Sequence, residues 1–295
     1  GLTQAGVITA TSLDVTNSAS TVALTNNANS LANVEIDNTG RNVSLTNSAA
    51  MNISAGGIQG DSVVLNTAGL TQTGAITATS LDVTNSAGSV VLTNAANSLA
   101  DVEIDNTGNS ISLTNTSLTD ISSGGIQGSF VTLNTVGLTQ TGTIDASAKL
   151  TVTNTQGDVT LTQLNSLAAI EIVNPLGVID VKSTESMSVN GNGITGDSVS
   201  IDVTGDLTAF ADITSAPLKK PTPLGLSSAA LIMETCSDLS SIQYGSWRTW
   251  SPNRVAEPCK NLENLWTSVS IPQFSRSCTQ IGGSSPSFKA SLTSR

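Results

Sequence analysis

The stretch GLTQTGAITATSLDVTNSAG, residues 69–88, decides the fold, because the chain carries it three times. GLTQAGVITATSLDVTNSAS opens at Gly1 and GLTQTGTIDASAKLTVTNTQ at Gly137, so the copies follow one another at a constant 68-residue interval. A faded copy, GDLTA, begins at Gly205. Other markers keep the same interval: NSL at Asn29, Asn97 and Asn165, the GI pairs at Gly57, Gly125 and Gly193, and the acids Glu35, Glu103 and Glu171. A fixed period of this length is the mark of a stacked repeat architecture.

Within one period, ITATSLDVTN, SVVLTN, VEIDNTG and SVVLNTAG place Val, Ile or Leu at every second position. Strict alternation predicts strands with one buried face. No window shows helical spacing. Gly, Asn, Asp and Ser stand between the runs, where they supply positive φ or side-chain bonds to the backbone. The 68-residue unit divides into three rungs of roughly 23, the scale of one coil of a solenoid. The expected fold is therefore all-β, a right-handed parallel β-helix with about three rungs per 68-residue repeat. Nine rungs at roughly 4.8 Å would make a rod about 43 Å long. Asn26, Asn38, Asn94 and Asn106 are expected to stack as amide ladders.

Composition agrees with thin aliphatic layers rather than a bulky core: aromatics make up 3% of the chain and charged residues 11%. The net charge of −11 hides a division. Residues 1–214 hold three basic residues (Arg41, Lys149, Lys182) against eighteen acidic ones, whereas residues 215–295 hold eight against four. All three Trp, the Tyr and all three Cys fall in the second part. The organisation expected is three β-helix repeats at 1–68, 69–136 and 137–214, the last including a final rung. A Pro-rich linker follows at 215–226, and a Cys/Trp-containing tail domain at 227–295. Pro217, Pro221 and Pro223 cannot join a ladder and mark the boundary. Tail and rod are expected to attract one another weakly across the charge divide, within the screening length.

The chemistry classes narrow quickly. An acidic body without His repels nucleic-acid phosphates, so no nucleic-acid partner is expected. No run reaches the roughly 20 apolar residues of a membrane helix. No signal peptide is visible, and the repeat is already under way at Gly1, which reads as a C-terminal fragment or processed product. Without His, the Ser-His-Asp, Cys-His and His-zinc arrangements have no candidates. Glu35–Asp37, Asp101–Glu103–Asp105 and Glu171 lie on VEID-type strands, each set pointing to one face. Three rungs, roughly 14 Å, separate the glutamates, too far for paired-carboxylate catalysis. They read as a solvated acidic face. GGIQGD at Gly56–Asp61 resembles a calcium-binding solenoid turn, but the second copy ends in Ser129, so turn chemistry is expected there. No GxxxxGK[ST] phosphate loop occurs. The reading is of no enzyme, no cofactor, no metal and no catalytic residue.

In the tail, Cys236, Cys259 and Cys278 stand roughly 20 residues apart, a spacing that fits no zinc or redox motif. In an exported chain a disulfide is expected, Cys236–Cys259 or Cys259–Cys278, with one thiol over. A loop of about 20 residues contributes roughly 3 kcal/mol. Tyr244, Trp247, Arg248, Trp250, Arg254 and Trp266 suit a small core or cap over the last rung, or a partner-binding surface.

Repeats of the GLTQTGAITATSLDVTNSAGSVVLTNAANSLADVEI type resemble the filamentous haemagglutinin-like exoproteins of two-partner secretion systems, over about residues 1–214. That resemblance implies a secreted fibre on the surface of a Gram-negative bacterium, acting in cell adhesion, biofilm or matrix formation. It also implies an outer-membrane transporter of the Omp85 type as partner, or neighbouring fibre subunits, with host or matrix glycans as further contacts. In some members a cysteine-bearing C-terminus anchors the fibre at the transporter, and residues 227–295 match that part by position. The family's N-terminal secretion domain does not occur in this sequence. A polysaccharide-active β-helix enzyme using surface carboxylates is the alternative. A flat ligand-binding face, such as one that binds ice, would need regular TxT ladders that ITATS, DVTN and LTN do not form.

Overall fold

A computed structural model describes residues 1–215 and the strand Phe288–Leu292. The described residues form one sheet system wound as a parallel β-solenoid, with no helix among them. The pairing follows a single track up the coil. Leu2 pairs with Val22, Val22 with Val43, Val43 with Val63, Val63 with Leu81, Leu81 with Val102 and Val102 with Ile121. The strand holding Ile121 then pairs through Thr119 with Leu138, and the track continues through Val159 and Ile179 to Val199. The track marks eleven levels of stacked coil. Each step consumes about 20 residues, at the short end of the range for one solenoid coil.

That register refines the expectation of about three rungs per repeat. Leu138 lies two repeats beyond Leu2 and is reached in seven steps, so one 68-residue repeat winds three and a half turns. The equivalent residue of the middle repeat, Leu70, therefore stands on a second track, half a turn around the coil. That track runs Leu13, Val34, Ile53, then from Met51 to Leu70, Val90, Ile111, Val131, Leu150, Ile170 and Val189. Successive repeats present the same side chains on alternate sides of the rod. A turn of about 19 residues satisfies the pleat because both tracks demand the same inward aliphatic residues.

The core is those two tracks and the residues two along from them. Leu24, Leu45, Leu65, Val83, Ile104, Ile126 and Ile144 stack in one column, and Ile36, Ile58 and Ile76 in another, each 1% exposed or less. Aromatic rings take no part: Phe130 and Phe210, the aromatics of residues 1–215, are exposed. At roughly 25 cal/mol per Å², the burial of each aliphatic side chain contributes about 2 kcal/mol.

Asparagine does not form the expected ladder. Asn38 and Asn106 are buried, but each accepts from one partner in the preceding turn: Asn17 Nδ2 at 2.6 Å and Asn85 Nδ2 at 2.7 Å. Asn26 and Asn94 sit in turns, and each side-chain oxygen accepts the backbone N–H two residues ahead. Stacking stops after one step because the next coil has no amide to offer. Asp37 pairs with Gln59 and Asp105 with Gln127, so Gly60 and Gly128 follow at the level where an asparagine would be needed.

The last coil edge is paired in the reverse sense. Phe288–Leu292 runs antiparallel to Val199–Val203, with Ala290 opposite Ile201. A parallel coil would offer its open ladder to further chains, and an antiparallel strand occupies that edge. Ser215, the first residue of the expected linker at 215–226, closes the strand Ile213–Ser215; residues 216–226, the three cysteines, and Tyr244, Trp247, Arg248, Trp250, Arg254 and Trp266 lie outside the described residues.

Candidate functional site

The repeated acids prove to be joints between coils. Glu35 leaves its strand beside Val34, and the next turn carries the Ala55-Gly56-Gly57 bulge, where the register slips between Val34 and Ile36. Glu35 Oε2 accepts the backbone N–H of Gly56 at 3.1 Å, and Glu103 Oε2 accepts that of Gly124 at 3.2 Å. The second glycine of each pair faces the coil on the other side. Gly57 and Gly125 adopt φ of 80° and 81°, and a Cβ on either would lie 2.1 or 2.2 Å from the carbonyl oxygen of Ala75 or Thr143. Glu and GGI keep step in the sequence because they are one device, in which a carboxylate holds a bulge whose second glycine admits no Cβ.

The expected spacing of the glutamates is also revised. Three and a half turns at about 4.8 Å put Glu103 roughly 17 Å along the axis from Glu35, and half a turn around it. Glu35 and Glu171 share a side but lie seven levels apart. Across neighbouring turns, Asp14 stands opposite Glu35 and Asp82 opposite Glu103. Burial pushes the Asp82 carboxyl up, and the Glu103 charge adds to the effect. Asp61, the acid of GGIQGD, accepts the Thr79 hydroxyl at 2.9 Å. No group of three or more metal-ligating side chains occurs among the described residues.

The third repeat departs from this scheme. Thr151 replaces the aspartate opposite its glutamate, and one extra residue before Leu150 brings in Lys149. Lys149 Nζ lies 2.5 Å from Glu171 Oε2. Asn192, at the position of Gly56 and Gly124, donates from Nδ2 to Glu171 Oε1 at 2.5 Å. Burial pushes the Glu171 carboxyl up, but the hydrogen bonds from Lys149 and Asn192 and the Lys149 charge outweigh it and hold the group below the ordinary carboxylate value.

A second buried network escapes the sequence reading. Asn29, Asn97 and Asn165, the first residue of each NSL, are wholly buried. Asn97 exchanges amide hydrogen bonds of 2.9 and 2.8 Å with Gln72 and donates to the Thr114 carbonyl at 3.0 Å. Asn165 repeats this with Gln140 and the Lys182 carbonyl, and Asn29 with Gln4 and the Thr46 carbonyl. The common 68-residue interval of LTQ and NSL is the signal that could have found it.

Outside, the later part of the coil bears large apolar residues where the preceding repeat has small ones. Leu118, Phe130, Leu164 and Leu176 stand at the positions of Ala50, Ser62, Ala96 and Gly108 and are all more than half exposed. Next to Ala50 and Gly69 a shallow groove of about 390 Å³ runs along the first repeats. One repeat later the matching position is filled, since a Cβ on Gly137 would meet Leu118 Cδ1 at 2.6 Å.

Coil, joints and core define a parallel β-solenoid repeat protein. Comparison with protein-family models, with curated proteins and with solved structures finds no match for this chain.

Proposed function

We propose that the chain is an extracellular structural or adhesive fibre segment of a bacterial surface. Its C-terminal part would cap the coil or anchor it to an outer-membrane transporter or a neighbouring subunit. One observation carries this reading: the repeated acids, amides and glycines are engaged in holding coil to coil, leaving flanks of Ser, Thr and Asn with scattered apolar side chains. A rod so built resists unwinding, and its exposed Phe130, Leu164 and Leu176 offer contact points of the kind that partner surfaces use. The resemblance of the repeats to filamentous haemagglutinin-like exoproteins supports the same reading.

The reading includes no enzymatic role. Asp14 and Asp82 stand opposite Glu35 and Glu103 on neighbouring strands, but those glutamates are bonded to the bulge glycines of the next coil and Glu171 to Lys149 and Asn192.

Labelling intact producing cells with an antibody to the coil, alongside adherence to matrix-coated and glycan-coated surfaces, tests the proposal. Surface labelling with adherence is expected. Antigen confined to the cell interior would overturn it, and release of new reducing ends from an acidic polysaccharide would favour the enzyme instead.

A further inference from the structure

Lys149, Glu171 and Asn192 lie in three successive turns and meet at one carboxylate, with each terminal nitrogen 2.5 Å from a different oxygen of Glu171. Glu171 is only 7% exposed. The lysine amine also reaches the turn that carries the asparagine, since a Cβ on Gly191 would lie 2.9 Å from Lys149 Nζ. The first two repeats have no such set. There the place of Asn192 is held by Gly56 and Gly124, and Lys149 belongs to a one-residue insertion. The two departures occur together and converge on the same glutamate. An ion pair alone would need the lysine but gives no reason for the carboxamide beside it.

We propose that these residues form an intramolecular isopeptide cross-link, in which the Lys149 amine is joined to the Asn192 side chain with Glu171 as the proton-transfer group. This goes beyond the adhesive reading and does not depend on it.

The chemistry balances without any cofactor. In the resting state Lys149 is an ammonium and Glu171 a carboxylate. Transfer of one proton along their hydrogen bond exposes the Nζ lone pair, and the neutral pair so formed is the minor, reactive state of the two. Nζ attacks Cγ of Asn192 and forms a tetrahedral carbon. Glu171, now a carboxylic acid beside Nδ2, returns a proton to the departing nitrogen as the Cγ–Nδ2 bond breaks. A proton shed by Nζ completes the ammonium ion that leaves. The net change is one ammonium and one carboxamide giving one amide and free ammonium, with Glu171 regenerated. Holding the reactants in fixed turns replaces an encounter in solution. Because the ionic pair is the resting form, the link forms slowly after folding.

The product would tie the turn of Lys149 to the turn of Asn192, across the intervening turn of Glu171. A solenoid unwinds coil by coil when pulled, since each coil contacts only its neighbours. A covalent staple over three levels stops that unzipping.

The test is intact-mass measurement on the full chain, fresh and after ageing at neutral pH, followed by proteolysis and peptide sequencing. The expected result is a population lighter by one ammonia, with a branched peptide joining Lys149 to Asn192. Lys149→Arg keeps the cation and the fold but has no such nucleophile, so it should show no branched peptide. Glu171→Gln should slow the reaction roughly a hundredfold while circular dichroism stays β-rich. An unchanged mass in aged wild type would overturn the proposal. So would an ammonia loss without the branched peptide, which would mark a succinimide at Asn192 before Gly193.

Discussion

The Glu35 carboxylate takes the backbone N–H of Gly56 in the next turn at 3.1 Å, and a Cβ on that glycine would sit 1.6 Å from Glu35 Oε1. The obstacle is the end of a flexible side chain, so Gly56→Ala can be accommodated by swinging Glu35 aside. The expected cost is the hydrogen bond, about 1 kcal/mol. Gly57→Ala is different in kind. Its obstacle is the Ala75 carbonyl at 2.1 Å, and its φ is 80°. Backbone in a neighbouring coil cannot swing away, so a loss above about 3 kcal/mol is expected. Urea unfolding of the two variants checks the order.

A sharper contrast is expected among asparagines. Asn97→Ala leaves Gln72 and the Thr114 carbonyl with unmet hydrogen bonds inside the coil, at a cost of about 2–4 kcal/mol. Asn94→Ala, three residues earlier at a half-buried turn position, loses bonds to the Thr73 carbonyl and the Ala96 N–H that water can replace, and should cost less, about 1 kcal/mol. Thermal melts by circular dichroism separate the two, and equal effects would refute the structural role assigned to the NSL asparagine.

Two acids should respond to pH with opposite signs. The folded value of Glu171 is lowered, so its contribution is complete above the unfolded value of 4.5 and is lost as pH falls through the folded one. Glu171→Gln should therefore destabilise freshly prepared protein at neutral pH and progressively less in acid. The folded value of Asp82 is raised, so its ionisation subtracts stability above that value and has no effect below 3.8. Asp82→Asn should stabilise at neutral pH and be silent in strong acid. Unfolding midpoints measured across the acid range test both directions.

Core and surface should separate cleanly. Leu65 is buried in the middle of a column. Leu65→Ala should cost about 2–5 kcal/mol, the range for deleting a buried aliphatic side chain. Phe130 and Leu176 are exposed. Their replacement by Ser should leave stability within about 0.5 kcal/mol of wild type, as for surface substitutions in general. If the fibre reading holds, the same two substitutions weaken adherence, measured on the surfaces to which the wild type binds.

Much of this protein is readable residue by residue. Alternation in SVVLTN and VEIDNTG points Val90, Leu92, Val102 and Ile104 inward, and all four are buried. The markers NSL, GI and Glu stand out by their interval alone. Their purpose does not, because a wholly buried amide and a half-buried one look alike in a sequence, as Asn97 and Asn94 do. Glu103 resembles a surface acid until the Gly124 bulge of the next turn is brought against it. The meeting of Lys149 with Asn192 is hidden for the same reason: a long run of chain separates them, and only the winding puts both on Glu171.

The β class, the stacked architecture and the 68-residue chemical period are written in the chain itself, since alternation and repetition are local properties. How far the backbone turns within that period is not written there. Inward aliphatics are required equally on both tracks, so the pattern is satisfied by any coil length that keeps the pleat. Three and a half turns per repeat is settled by which strands hydrogen-bond across successive levels, a matter of tertiary pairing. That winding sends identical repeats to alternate sides of the rod.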